Sequence, residues 1–183
     1  MPQYVALLRG INVGGNRLIK MEDLKQMFID MKFKNVSTYI QSGNVFFDAK
    51  ETEAEKLRLK TEKALAKALG YDVDIYIRSI DEMEAIVTYD AFKKMKANTE
   101  AKLYVAFLSD TPTKEQVKAL EATSNETETF HVHKTELYLA SNRKPGDVFN
   151  IDTPVKKQLG LKATIRNWNT TQKLYQLMSA KTN

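Results

Sequence analysis

The chain is predicted to be an α+β protein of two ferredoxin-like halves, each a βαββαβ unit with a mainly antiparallel sheet, followed by a C-terminal helix. Two observations lead to this prediction. Short apolar or alternating runs, which are typical of strands, lie between longer runs whose apolar residues recur at helical spacing. The same order of elements then occurs a second time, although we find no repeat of the residues themselves.

The first half contains six predicted elements. Apolar residues three and four positions apart indicate the first helix, and Gly70 ends the second, as is typical of a C-cap. Residues 73–78 alternate apolar and polar side chains, which favours a strand. The strands are predicted at 4–8, 36–40, 45–48 and 73–78, and the helices at 21–33 and 52–69.

The second half repeats this order after a connecting segment at 80–101. Thr113 and Gln116 have the spacing of a capping box, and Asn169 is predicted to cap the last helix, with Gln172 three residues on. The strands are predicted at 103–108, 130–133, 137–140 and 163–166, and the helices at 114–122, 154–159 and 170–180. The predicted divisions are an N-terminal half at 1–79, the connecting helical segment at 80–101, and a C-terminal half with the terminal helix at 102–183.

Composition restricts the possible functions. The 183 residues are 43% hydrophobic, enough for a core, and include no cysteine, which excludes disulfides, thiolate metal sites and cysteine nucleophiles. The N-terminus lacks the basic region of a signal peptide, and no apolar stretch approaches the roughly 18 residues of a membrane span. We therefore expect a soluble, cytoplasmic protein without membrane association.

The chain is basic, with a net charge of +5 and a pI of about 9.2. Its lysines are set among glutamates, as in residues 51–67, a mixture that is typical of solvated helix faces with paired charges. Attraction to nucleic acid or another polyanion is the alternative interpretation.

Glycine is concentrated in two short polar loops. Three of the seven glycines, Gly10, Gly14 and Gly15, follow the first strand, and Gly43 lies in the turn from Gln41 to Asn44. Glycine serves where the backbone needs positive φ or must approach another group closely. This concentration indicates a site.

The predicted topology places these two loops at one end of a sheet. The first two strands of a βαββαβ unit run in the same direction, so the loops that follow them emerge together. Arg9 offers a five-donor fork, Gly14 and Gly15 offer backbone N–H groups, and Lys20 adds charge at a helix N-terminus. The predicted ligand-binding residues of these loops are Arg9, Asn12, Gly14, Gly15, Asn16, Lys20, Gln41, Ser42 and Asn44.

A structural interpretation of the same loops stays open. Their glycine spacing matches neither the P-loop nor the dinucleotide-binding fingerprint. A long strand-to-helix connection, in which asparagine side chains satisfy the backbone, would have the same composition.

Arg166, Asn167 and Trp168 form a second polar cluster, which joins the predicted ligand-binding set. Arg166 pairs with an acid in the fold or contributes to an anion site, and Trp168 is a packing anchor or a stacking platform. His131 and His133 point to one face of a predicted strand, but no third ligand is evident, so we expect exposed histidines, no metal and no cofactor.

Aromatic residues on the first and third strands overlap with the pattern of RNA-binding sheets. The first strand, however, is apolar on both faces, and the family signature of those RNA-binding domains is absent. We therefore expect the second face of this sheet to be covered.

Three motifs in order, at residues 4–16, 38–44 and 166–170, resemble those of a bacterial family catalogued as domain of unknown function 1697. The resemblance covers nearly the whole chain and implies an α+β, ferredoxin-like fold with no assigned activity. It implies that the glycine-rich loop, the turn and the cluster from Arg166 to Asn169 are family signatures. Members carry a Ser-Lys-Leu-like segment before the last strand, where this chain instead reads Asp147 to Pro154.

The predicted function is binding of an anionic, phosphate-bearing small molecule or nucleic acid at the two loops. The first alternative is a metal-independent enzyme that acts on a small polar substrate in the same pocket. The second is a protein-interaction module in which the loops are purely structural.

Overall fold

A computed structural model describes residues 1–15, 17–144 and 150–180 of the chain. They divide into two compact units, one formed by Met1–Ala85 with the chain from Leu174 onward, and the other by Ile86–Lys173. The end of the C-terminal helix thus belongs to the first unit, whereas the sequence groups it with the second half. Within the described residues, no helix is long and apolar enough to span a bilayer.

The first unit has the ferredoxin-like strand order β2-β3-β1-β4, with every neighbouring pair antiparallel. Helix α3 continues from its last strand and crosses into the second unit. The elements are β1 (Gln3–Leu8), α1 (Met21–Asp30), β2 (Lys34–Tyr39), β3 (Asn44–Asp48), α2 (Ala54–Leu69), β4 (Ile75–Ser79) and α3 (Ile80–Thr88).

The second unit has the equivalent order β6-β7-β5-β8, again antiparallel. Its elements are α4 (Ala91–Lys94), β5 (Lys102–Leu108), α5 (Lys114–Glu121), β6 (Glu128–His133), β7 (Glu136–Ser141), α6 (Asp152–Pro154), a π-helical turn (Val155–Leu159), β8 (Ala163–Asn167) and α7 (Trp168–Ser179). The predicted fold of two ferredoxin-like sheets with a C-terminal helix is confirmed.

Local signals placed several helix ends correctly, although α1 ends at Asp30, three residues before the predicted end. Thr113 and Gln116 form the predicted capping box, and Gly70 ends α2 in the left-handed conformation. The prediction for α7 was wrong by two residues, because Asn167, not Asn169, caps it by accepting a hydrogen bond from the backbone N–H of Thr170. A shift of this size is expected where several capping residues follow one another.

The first sheet is buried on both faces. Alternate residues of β1 belong to the core that includes α1 and α2, while Val5 and Leu7, which point the other way, are also fully buried. On β3, Phe46 and Phe47 are 2% and 0% exposed. The expectation of a covered face is confirmed, and these aromatic residues are not available to stack on RNA bases.

The pairings made by the central strands β1 and β5 have the same register in the two sheets. Val5 pairs with Arg78 in the first, and Val105 pairs with Arg166 in the second. When the sheets are aligned in this way, Tyr-Val-Ala-Leu-Leu at 4–8 corresponds to Tyr-Val-Ala-Phe-Leu at 104–108. The structure thereby corrects the conclusion that only the order of elements repeats, because the similarity is too short to be recognised without the strand pairing.

Candidate functional site

The candidate site lies at one end of the first sheet, where β1 and β2 end and β4 begins. We call this region the loop edge; its described residues are 9–15, 17–20, 40–43 and 71–74. The two polar loops meet there, since Nδ2 of Asn12 in the first loop donates to the carbonyl of Gln41 in the turn at 2.9 Å. The two loops thus lie at the same sheet end, as the strand directions of a βαββαβ unit predict.

Asn12 holds the loop edge together. Its Oδ1 accepts from the N–H of Ile19 at 2.8 Å, and its Nδ2 donates to the carbonyls of Ile19 at 3.0 Å and Gln41 at 2.9 Å. Asn12 has a φ of +53°, a conformation that asparagine tolerates better than most residues. The Asn12 amide thus joins the two ends of its own loop and links this loop to the turn. We call these three hydrogen bonds the Asn12 staple.

The turn is also closed by its own side chains. Asn44 is fully buried, and its Nδ2 donates to the carbonyl of Tyr39 at 3.0 Å and to Oγ of Ser42 at 2.9 Å. Gln41 is exposed, so its amide faces solvent beside the staple. Of the three predicted ligand residues of the turn, only Gln41 extends its side chain away from these internal hydrogen bonds.

Left-handed backbone conformations are concentrated at the loop edge. Gly10, Gly14 and Gly15 have φ of +68°, +60° and +76°, and the exposed Ile40 has a φ of +49°. A β-branched residue is a genuine outlier in this region and persists only where the surrounding structure holds it. Gly14 and Gly15 are exposed.

Arg9 and Arg17 are oriented by acidic and aromatic neighbours. Nη1 of Arg9 lies 3.2 Å from Oδ2 of Asp74, and both side chains are 32% exposed. Arg17 stands over the ring of Tyr71, 4.9 Å from its centroid, and donates to the carbonyl of Asp72 at 3.4 Å. Arg17 and the two aspartates were not predicted from the sequence, although β4 begins at the sheet end where β1 stops, so that the residues before β4 are expected beside the same loops.

A cleft of about 910 Å³ opens beside the staple. Lys20 lies on its rim and is exposed, and Glu22 and Asp23 occupy the first turn of α1 beside it. Half of the lining residues are aliphatic or thioether, and the full lining consists of Asn12, Leu18, Ile19, Lys20, Met21, Glu22, Asp23, Met27, Gln41 and Leu69. Asn16, also predicted to bind ligand, lies outside the described residues, as do residues 147–149 of the segment that departs from the family pattern.

The second predicted cluster belongs to the other unit. Arg166 is buried, and its Nη1 donates to Oγ1 of Thr164 at 3.0 Å and to the carbonyl of Ile165 at 2.8 Å. Burial lowers the pKa of Arg166 to about 10. Trp168 meets the ring of Phe92 edge-on, with centroids 5.1 Å apart, which is the geometry of a packing anchor.

The sequence predicted that the two histidines of β6 are exposed, but both are half-buried. His131 lies between Glu121 and Tyr89, and His133 stacks on Tyr89 with ring centroids 3.9 Å apart. Among the described residues, no group of three or more histidine, aspartate or glutamate side chains has the arrangement of a metal site.

Comparison with known proteins gives a family and a fold. The model of a family described as "Protein of unknown function (DUF1697)" matches residues 1–138. A conserved bacterial protein, SP0830 from Streptococcus pneumoniae, has a similar structure, with a TM-score of 0.73 and 23% identity over 96% of this chain and 97% of that chain. No curated protein matches.

Proposed function

The chain belongs to this family of proteins of unknown function, and we propose that it binds a small anionic, phosphate-bearing ligand at the loop edge. One observation carries the proposal: three cationic side chains, Arg9, Arg17 and Lys20, border a single loop whose backbone is fixed in an unusual conformation. Arginine forks and exposed backbone N–H groups are the donors that proteins use for phosphate.

The Asn12 staple supports the proposal because it organises the loop before any ligand arrives. A loop that is already ordered loses less conformational entropy on binding. Its two exposed glycines, Gly14 and Gly15, allow a ligand to approach the backbone, since no other atom lies within 4 Å of where their Cβ atoms would be.

The acidic neighbours of the loop edge favour a small ligand over nucleic acid. Asp74 already interacts with Arg9, and Glu22 and Asp23 border the cleft. A long polyanion would bring several phosphates near these carboxylates, whereas a single phosphate would compete with Asp74 for the Arg9 guanidinium. We propose a cytoplasmic location for this activity, which the absence of cysteine supports.

A thermal-shift and calorimetry series tests the proposal with inorganic phosphate, ribose 5-phosphate, AMP, ATP and a short single-stranded RNA. A ligand at 100 times its Kd is expected to stabilise the fold by about 2.7 kcal/mol, which corresponds to a rise in Tm of roughly 5 to 10 °C. Arg9→Gln should weaken binding, and Asp74→Asn should strengthen it. Lys50→Gln, an exposed lysine just after β3 at the opposite end of the sheet, is the matched control.

Each outcome decides between interpretations. Binding of a phosphate compound that Arg9→Gln reduces and Asp74→Asn increases supports the proposal. If only RNA binds, and log affinity falls by about 0.7 per log unit of salt for each contacted phosphate, the ligand is nucleic acid rather than a small molecule. The proposal fails if no anion shifts the melt, or if every shift persists in Arg9→Gln.

One observation favours a second candidate, a protein-interaction module. The aliphatic side chains of Val13, Leu18 and Ile40 are 64%, 73% and 46% exposed at the same loop edge. Exposed apolar residues that cluster beside polar groups are typical of interaction surfaces. A partner whose binding is lost in Leu18→Ser but retained in Arg9→Gln would favour this candidate over ligand binding.

A further inference from the structure

Three side chains of the second unit form a continuous hydrogen-bonded chain that the loop edge does not involve. Oε1 of Glu121 lies 3.0 Å from Nδ1 of His131, and Nε2 of His131 lies 2.9 Å from the hydroxyl of Tyr89. The residues come from three separate places: the end of α5, the edge strand β6, and the segment just after α3. The tertiary fold therefore assembles them.

The chemistry of the partners fixes the direction of this chain. The Glu121 carboxylate is an acceptor, so Nδ1 of His131 donates to it; in the tautomer whose only proton is on Nδ1, Nε2 accepts from the Tyr89 hydroxyl. Glu121 is itself held in place, because its Oε1 also accepts from the backbone N–H of Val132 at 2.9 Å. The order carboxylate, imidazole and hydroxyl is the one that activates nucleophiles in acyl-transfer enzymes.

The surroundings of Tyr89 fit a reactive group better than a buried structural one. The ring is partly exposed; it stacks on His133 at an interplanar angle of 11°, and Nζ of Lys94 lies 4.1 Å from its centroid. The Glu121 and His131 side chains are 34% and 27% exposed, so solvent and small molecules reach the hydrogen-bonded chain.

A shallow groove of about 540 Å³ borders Glu121 along the outer side of α5. Pro112, Val117 and Ala122 give it an apolar lining, and Lys114 and Lys118 add two cations one helical turn apart. Lys114 and Lys118 therefore give the surface beside Glu121 a positive charge, which attracts an anionic acyl donor to this part of the second unit.

We propose that Tyr89 is the nucleophile of a second reactive site, which accepts an acyl group from an activated ester. The phenolic oxygen attacks the ester carbonyl, the new O–C bond forms, and the bond from carbon to the leaving oxygen breaks. The phenolic proton passes to Nε2 of His131, whose positive charge the Glu121 carboxylate stabilises, and then to the leaving oxygen or to water. The product is an O-acyl-tyrosine ester at Tyr89.

The test uses p-nitrophenyl acetate with the full chain. A release of p-nitrophenolate stoichiometric with protein is expected, and peptide mass spectrometry should place the acetyl group on Tyr89. Tyr89→Phe should abolish this phase. His131→Gln, which keeps a polar acceptor but not a base, should slow it by about 100-fold or more, and Glu121→Gln should slow it to a smaller extent.

Two control variants test whether the loss of any tyrosine hydroxyl slows the reaction and whether a lysine amine is acetylated instead of Tyr89. Tyr175→Phe removes a tyrosine hydroxyl that donates to the carboxylate of Glu84 rather than to an imidazole. This variant should react at the original rate. Lys94→Arg keeps the cation near Tyr89 but removes a nucleophilic amine, so acetylation should persist. Circular dichroism checks that each variant is folded.

The proposal is overturned if Tyr89 is acetylated no faster than N-acetyltyrosine amide in solution, or if the label is on lysine alone. It is equally overturned if a folded His131→Gln variant reacts at the original rate, because the chain would then be only a structural clamp on β6.

Discussion

Gly43 lies so close to Ile11 that a Cβ on the glycine would be 2.6 Å from Cδ1 and 2.8 Å from Cγ1 of that side chain. This contact joins the turn after β2 to the loop after β1. Because Gly43 also has a φ of +75°, both its conformation and its surroundings exclude a side chain.

Gly43→Ala is therefore expected to destabilise the first unit by about 2 to 4 kcal/mol, since left-handed strain adds to a steric clash. Gly70→Ala is the control, because its φ of +79° is similar but no atom lies within 4 Å of the added Cβ. It should cost only about 1 kcal/mol. Urea denaturation of both variants measures the difference, and equal losses would show that the contact with Ile11 is unimportant.

Asn12→Asp should loosen the loop edge. The substitution keeps an acceptor for the N–H of Ile19 but removes the donor to the carbonyls of Ile19 and Gln41. We expect a loss of about 1 to 3 kcal/mol in the free energy of unfolding, because two acceptors lose their partner. Limited proteolysis should also cut the variant faster between residues 10 and 20. Unchanged stability and unchanged cleavage would contradict the role of Asn12 as a staple.

His133 should make the stability depend on pH. Burial, and then the nearby Lys134, lower its pKa below the ordinary value of 6.5, while Glu136 opposes the shift. The unfolded chain therefore binds the proton more readily, and stability is expected to fall as the pH drops below about 6.5 towards the depressed pKa. His133→Phe keeps an aromatic ring to stack on Tyr89 and should flatten this dependence, measured as the urea midpoint from pH 8 to 5. An identical pH slope in both proteins would refute the assignment.

Tyr138 should contribute to stability through its hydroxyl. The side chain is 1% exposed, and its OH donates to the carbonyl of Ile86 at 3.1 Å. Tyr138→Phe should cost about 1 kcal/mol. Tyr104→Phe is the matched control, because the described part of the chain gives that hydroxyl no hydrogen bond. Thermal unfolding should separate the two variants, and a neutral Tyr138→Phe would show that the carbonyl of Ile86 finds another partner.

Thr113→Ala tests the capping box of α5. Oγ1 of Thr113 accepts from the N–H of Gln116 at 3.2 Å, and Oε1 of Gln116 accepts from the N–H of Thr113 at 2.8 Å. Loss of the cap should destabilise the second unit by about 0.5 to 2 kcal/mol. Thr111→Ala, just outside the helix, should be close to neutral in the same denaturation experiment.

The sequence alone predicted the features that depend on local chemistry and on topology. The strand character of β4, the helical spacing of α1 and the capping box at Thr113 are set by neighbouring residues, so they could be predicted without a structure, whereas the burial of both faces of β4 could not. The convergence of the two glycine-containing loops also followed, because strand direction in a βαββαβ unit fixes which loops share a sheet end. Convergence of the loops does not depend on the conformation of any side chain.

Only the tertiary structure decided which side chains of these loops form hydrogen bonds and ion pairs. It also decided which reactive side chains lie together in the second unit. Arg9 reaches Asp74 across 65 residues of chain, and Tyr89 reaches His131 across 42. Hydrogen bonds require partners within about 3 Å in a suitable orientation, and no local pattern in the sequence fixes distances on that scale. The glycine-rich loop was therefore recognisable as a candidate site, whereas the Asn12 staple and the chain from Glu121 to Tyr89 depend on long-range packing.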